Sequence, residues 1–206
     1  MALKLYYHPY SRAAGSIWAL EEAGVSYDLQ VVDITKGEQK QPDVVSKNAM
    51  GKVPMLVDGD LIVTEAAAIA LYLADRYAPG RLAPALDDPR RGTYLRWSFF
   101  APSVIEPAVI SKHSGWQVKE VAAGWGTYAA MVAAAQSAVA QGPFLLGEQF
   151  SMADVAFGGT LRYMLGFKQM EPSPVFTAYV ERLDARPAAQ RAEAKNVEMR
   201  KMLGLQ

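Results

Sequence analysis

One change of pattern constrains the fold of this chain more than any other feature. Up to about residue 78 short strands alternate with helices, and beyond about residue 89 every periodic segment is helical. Leu3 to His8, rich in Leu and Tyr and ended by Pro9, reads as a strand. Ser11 opens a helical stretch in which Ala14, Ile17, Trp18 and Leu20 recur until Gly24 stops it. Tyr27 to Val32 is the next strand, and a strand-helix-strand unit needs a parallel pair with the helix crossing over it. Val53 to Val57 and Leu61 to Val63 read as two strands joined by an Asp58-Gly59-Asp60 turn. Thr64 then caps a helix reaching about Tyr77.

Pro79, Gly80 and Pro84 mark 79–88 as a linker. Pro89 to about His113 is expected to be a helix, bent or broken at Pro102 and Pro107 where backbone donors are missing. Further helices are expected over 116–141, 151–167, 174–185 and 187–203. The fold class is thus α/β plus all-α, with domains at 1–78 and 89–206. A chain of 206 residues can bury a core without covalent staples. With 51% hydrophobic and 20% charged residues it has the composition of a folded globular protein.

The functional classes narrow by charge and by what is missing. Lys plus Arg and Asp plus Glu both number 21, so the basic excess that phosphate binding requires is absent, and no nucleic-acid partner is expected. There is no cysteine, which removes disulfide frameworks, thiolate metal sites and a cysteine nucleophile together. His8 and His113 are the only histidines and have no paired acids at ligand spacing, so no metal site is expected. Met1 to Pro9 has no signal pattern and no apolar run is long enough to cross a membrane, so a soluble, cytoplasmic protein is expected.

Five pieces in fixed order carry a resemblance. They are Ser11-Arg12 leading into Trp18-Ala19-Leu20-Glu21-Glu22-Ala23-Gly24, then Gly51-Lys52-Val53-Pro54, Thr64-Glu65, Phe150-Ser151-Met152-Ala153-Asp154, and Ala185-Arg186-Pro187-Ala188. Together they span nearly the whole chain, which resembles the cytosolic glutathione transferases. The resemblance implies a thioredoxin-like N-terminal domain, an all-helical C-terminal domain, glutathione as co-substrate, a small-molecule electrophile bound in a cleft between the domains, and a homodimer. It also leaves a second reading, a non-catalytic regulatory or protein-binding module of the same fold.

The candidate residues each carry two readings. Ser11 either caps the first helix or, with the helix N-terminus, stabilises a thiolate; the serine-type members of the family use a serine in this turn. Tyr7 and Arg12 are its rivals, since another branch uses a tyrosine at the end of the first strand, and the cysteine-type members place their cysteine near Arg12, here a permanent cation. Strand alternation alone makes one of Tyr6 and Tyr7 a core residue and turns the other outward.

For Val53-Pro54 the resemblance implies a cis peptide whose Val53 amide and carbonyl pair with an extended peptide ligand. Lys52 either reaches the ligand's carboxylates or is a solvated loop lysine. Glu65 is implied to take the γ-glutamyl ammonium, or is an ordinary first-turn acid. Ala66 stands where the family has a serine that takes the adjoining carboxylate; the helix amides remain, so glutathione is expected to bind more weakly than is usual. Ser151 to Asp154 has capping-box spacing and is read as structural. Tyr10, Trp97, Phe100, Ser103, His113 and Tyr163 are candidates for the second-substrate pocket, with core packing as the alternative for the aromatics.

Overall fold

The computed structural model describes residues 3–205, and within them the chain divides into two units: the residues up to Ala78 together with those from Arg186 onward, and Pro79–Ala185. The first unit is built on four strands, β1 (Leu3–Tyr7), β2 (Tyr27–Val31), β3 (Met55–Asp58) and β4 (Leu61–Thr64), in the order β2-β1-β3-β4. β1 runs parallel to β2 and antiparallel to β3, which is antiparallel to β4. The parallel pair is joined, as expected, through helix α1 (Ala13–Ala23). α1 stops at Gly24, whose φ of 72° only glycine adopts without cost and whose N–H returns to the Leu20 carbonyl.

Tyr6 and Tyr7 are both buried, which corrects the expectation that one would face out. The face that carries Tyr6 is covered only towards its Tyr6 end, since Lys4, Asp28 and Ile62 on the same face are exposed. Tyr6 joins Val32, Val44 and Met55 in one cluster, Val44 belonging to a short helix α2 (Pro42–Val45) that was not foreseen. Tyr7 instead donates its hydroxyl to Asn196 Oδ1 at 2.5 Å. Asn196 lies on α9 (Pro187–Met202), so the last helix expected for the all-helical domain groups with the first unit.

Charge fixes that helix in place along α1. Arg186 makes two bonds to Glu22, at 2.6 and 2.8 Å, while Trp18 Nε1 donates to the same carboxylate at 2.9 Å. One turn away Arg191 and Lys195 meet Glu21 at 2.7 and 2.8 Å. Burial raises the Glu21 pKa, but bonds from Lys195, Arg191 and Tyr27 outweigh it and hold the carboxyl at about 2. Helix α3 (Ala66–Tyr77) completes the unit, and Thr64 ends β4 instead of capping it.

The second unit is all-helical among its described residues: α4 (Arg91–Phe100), α5 (Glu106–Ser114), α6 (Tyr128–Ala140), α7 (Met152–Gly166) and α8 (Pro174–Asp184). α4 and α5 are separated by a wide π-helical turn, Ala101–Ile105, where Pro102 withholds its donor, so the expected break is present. The helix expected from Trp116 does not begin there. Residues 116–127 are irregular apart from one short turn, and α6 starts only where the Thr127 hydroxyl oxygen accepts from the Ala130 N–H. The Ser151 to Asp154 capping box is formed, and buried Asp154 also accepts from Leu145 N–H and the Tyr179 hydroxyl, each at 2.9 Å.

Candidate functional site

Strand register brings most of the expected ligand residues of the first unit to one edge of the sheet. Gln30, Tyr6, Met55 and Thr64 form a single row across β2, β1, β3 and β4. Immediately past that row the chain carries, strand by strand, Val32 and Asp33, then His8 to Ser11, then Pro54 and Val53, then Glu65 and Ala66. Residues far apart in sequence thus leave the sheet together at the same end, beside the N-terminus of α1.

Ser11 is half-buried in the turn between β1 and α1. Its hydroxyl donates to the His8 carbonyl at 2.7 Å, and its oxygen accepts from the Ala13 N–H at 3.1 Å. Ser11 thus braces the turn that leads into α1 although Arg12 holds the N-cap position, and the one proton of its hydroxyl is engaged with a neutral acceptor. As the N-cap of α1, Arg12 already has helical backbone angles. Tyr10 sits on the same turn, its ring 5.9 Å from the Arg200 guanidinium of α9. The Tyr7 hydroxyl is fully buried, given to Asn196, and pushed well above its usual pKa by that burial.

Val53-Pro54 is cis, as expected. β3 begins at Met55, so Val53 and Pro54 precede the ladder instead of opening it. Gly51 is held at φ 56°, and a Cβ there would come within 2.8 Å of the Gln39 carbonyl oxygen, so only glycine fits. Lys40 reaches across the same approach to the Met50 carbonyl at 2.9 Å, and buried Asn48 fixes the loop through the Lys52 carbonyl and the Met50 N–H. The Lys52 side chain is exposed.

Glu65 is exposed, precedes α3, and has φ 69° with ψ 120°. A non-glycine residue seldom adopts that backbone, and strain of this kind gathers at binding sites. Its side chain makes no cap bond to α3. The first amides of a helix have no intrahelical acceptor, which leaves the start of α3 suited to an anion.

The second-unit candidates fall into two groups. Trp97 and Phe100 pack with Phe157 at ring separations of 5.1 to 6.1 Å, so they build the core. Ser103 is exposed on the π-helical turn, Tyr163 stacks on Phe167 at 4.4 Å, and exposed His113 bonds the Gln169 carbonyl through Nε2 at 2.8 Å. An open pocket of about 380 Å³ lies among Lys112, Trp116, Trp125 and Tyr128, and none of the six second-substrate candidates lines it. Among the described residues no three His, Asp or Glu side chains gather as metal ligands would, and no helix is long and apolar enough to cross a membrane.

Sequence reasoning missed His8, Asn196 and the Gln39-Lys40 approach to Gly51. Asn196 carries no local signal, because its partner is 189 residues away. Lys40 stood in a stretch too short and too polar for periodicity to place.

Known proteins point the same way as this geometry. Residues 1–75 match the family described as glutathione S-transferase, N-terminal domain, and residues 119–182 match glutathione S-transferase, C-terminal domain. Human glutathione S-transferase theta-2 is 30% identical over 203 residues, which cover 90% of this chain and 82% of that protein. The crystal structure of a glutathione transferase homologue from Sulfitobacter with bound glutathione superposes with a TM-score of 0.77 at 26% identity, over 94% of this chain and 98% of that one. A theta class glutathione S-transferase from Xanthomonas axonopodis pv. citri with glutathione bound gives 0.73 at 29% identity, over 93% and 96%. With both halves matched in order and a relative aligned along most of its length, the chain belongs to the glutathione S-transferase family.

Proposed function

We propose that this protein binds glutathione along the end of the sheet defined by the Gln30-Tyr6-Met55-Thr64 row and activates its thiol at the N-terminus of α1 for attack on a hydrophobic electrophile. The observation that carries the reading is the convergence of the Ser11 turn, Val53-Pro54 and Glu65-Ala66 at that one edge. Val53 supplies backbone groups to the tripeptide, Glu65 takes the γ-glutamyl ammonium, and the start of α3 takes its carboxylate. Lys52 is the candidate partner of a further carboxylate. Bound glutathione in two similar solved structures supports the assignment, and relatives that are transferases favour it over a non-catalytic module.

The chemistry asked of the turn is modest. A free thiol ionises near ~8.5, and lowering that by ~2 units takes ~2.7 kcal/mol. Ser11 is the proposed donor. Tyr7 would have to give up Asn196 and break out of the core, whereas Ser11 has only to rotate from one acceptor to another. A charged acceptor makes a bond worth ~1.5 to 3 kcal/mol, against ~0.5 to 1.5 for a neutral carbonyl, so a thiolate displaces the His8 carbonyl. The α1 N-terminus and Arg12 add favourable charge. Tyr10, on the same turn, is the proposed contact for the electrophile.

We further propose a cytoplasmic homodimer acting in detoxification; zero net charge sets no long-range repulsion between copies. Calorimetric titration with glutathione, followed by a panel of aryl halides, peroxides and disulfides, tests the reading. Saturable binding with conjugation supports it. Absence of glutathione binding overturns it.

A further inference from the structure

His8 is fully buried at the end of β1, and three bonds tie it to the turn that carries Ser11. Its carbonyl accepts from the Ser11 N–H at 3.1 Å and from the Ser11 hydroxyl at 2.7 Å. Its ring Nδ1 lies 3.2 Å from the Tyr10 backbone nitrogen. A backbone N–H can only donate, so Nδ1 must offer its lone pair, which assigns the neutral ring with its proton on Nε2. Nε2 is itself buried without a hydrogen-bond partner. Asp33 Oδ1 stands 4.0 Å from it, beyond hydrogen-bonding range.

The charged groups around this ring are few. Asp33 faces it from the segment after β2, already engaged by Lys36 at 2.9 Å and by the Thr35 hydroxyl, while Glu38 accepts the Asp33 N–H at 2.7 Å. On the α9 side Arg200 lies over the Tyr10 ring and is paired with Glu193. Protonating His8 would set a ring N–H against the Tyr10 N–H, replacing an attraction by two facing donors. It would also pull Nε2 towards Asp33.

We infer that His8 is a positioning residue for the thiol-binding turn: its unprotonated ring holds the Tyr10 amide and so fixes the backbone that aims the Ser11 hydroxyl, and protonation releases that hold. The catalytic consequence rests on the glutathione reading; the hold on the turn does not. Burial keeps the ring's pKa below its usual value, with Asp33 pulling the other way. A histidine depressed in the folded state contributes stability that is complete above ~6.5 and is lost as pH falls below it.

Two substitutions test this. His8→Asn keeps an acceptor able to reach the N–H two residues on, as in an Asx turn, but cannot titrate. His8→Phe fills the space without an acceptor. Amide resonances are followed on the uncomplexed proteins as pH is lowered, and glutathione transfer to chlorodinitrobenzene is measured on the same samples. In wild type the Tyr10 and Ser11 amides should move with the His8 ring, and in His8→Asn they should not. Beyond the acid limb that protonation of the thiol itself gives every variant, wild-type kcat/KM should show a further fall with the midpoint of the His8 ring, His8→Asn should lack that further fall, and His8→Phe should lose about threefold to tenfold in kcat at neutral pH. Amides indifferent to the ring's titration overturn the inference, as does a His8→Phe protein with native circular dichroism and undiminished kcat. Amides that move in a wild type unable to bind glutathione uphold the hold on the turn and overturn the glutathione reading instead.

Discussion

Ser11 shows how one hydroxyl serves structure and chemistry in turn. With its proton given to the His8 carbonyl, what it adds to a bound thiolate is the difference between a charged and a neutral acceptor, about 1 kcal/mol. Ser11→Ala should therefore raise the pKa of bound glutathione by about 0.7 unit, at 1.36 kcal/mol per unit, read by ultraviolet thiolate absorbance against pH. An unmoved pKa would remove Ser11 from the site. Ala66 poses the reverse case, a missing hydroxyl at a helix start that no side chain caps. Ala66→Ser should tighten glutathione by roughly tenfold, or ~1.4 kcal/mol, in a calorimetric titration. Equal affinity would mean that the α3 amides already satisfy the carboxylate. Ser11, Glu65 and Ala66 could be picked out from sequence because they stand at element junctions with local signals. His8 could not, since it acts through a main-chain carbonyl and a tautomer, and neither is written in residue type.

Elements with strong punctuation were the legible ones. The box at Ser151 announced α7, and Pro174 and Pro187 each opened a helix at its first position. The four-residue α2 gave no periodicity to read, and the 116–127 stretch misled because its apolar residues suit a helix while Gly124 and Gly126 do not. Asp154 is where the second unit concentrates its polar debt. Burial raises its pKa, and two N–H groups with two hydroxyls oppose that by donating to it. Asp154→Ala should strand several buried donors at ~1 to 3 kcal/mol each, a loss of about 4 kcal/mol and a marked drop in Tm. A loss near 1 kcal/mol, that of an ordinary cap, would show that the site relaxes around the gap.

At the scale of the whole molecule, two pieces of the family's ordered motifs turn out to be partners. The Trp18-to-Gly24 piece presents Glu22, and the Ala185-to-Ala188 piece presents the Arg186 that grips it. Neither piece read alone says so, because the pairing spans 164 residues. Arg186→Met should take the guanidinium from a buried carboxylate that keeps the Trp18 N–H, destabilising the protein by ~3 kcal/mol in chemical denaturation. Adding Glu22→Gln, which keeps an acceptor for Trp18, should restore most of that loss. If the single variant is as stable as wild type, α9 is held by its apolar contacts and by Glu21 instead. The same arrangement bears on how the protein comes into being. β1 to α3 emerge from the ribosome early, yet the helix that covers Tyr7 and grips α1 is translated only after all of Pro79–Ala185. The second unit can fold as it is made, whereas the first must wait, incomplete and with the α9-facing side of α1 uncovered, until α9 has been translated. Nascent chains arrested before Arg186 should thus be the form most in need of a chaperone.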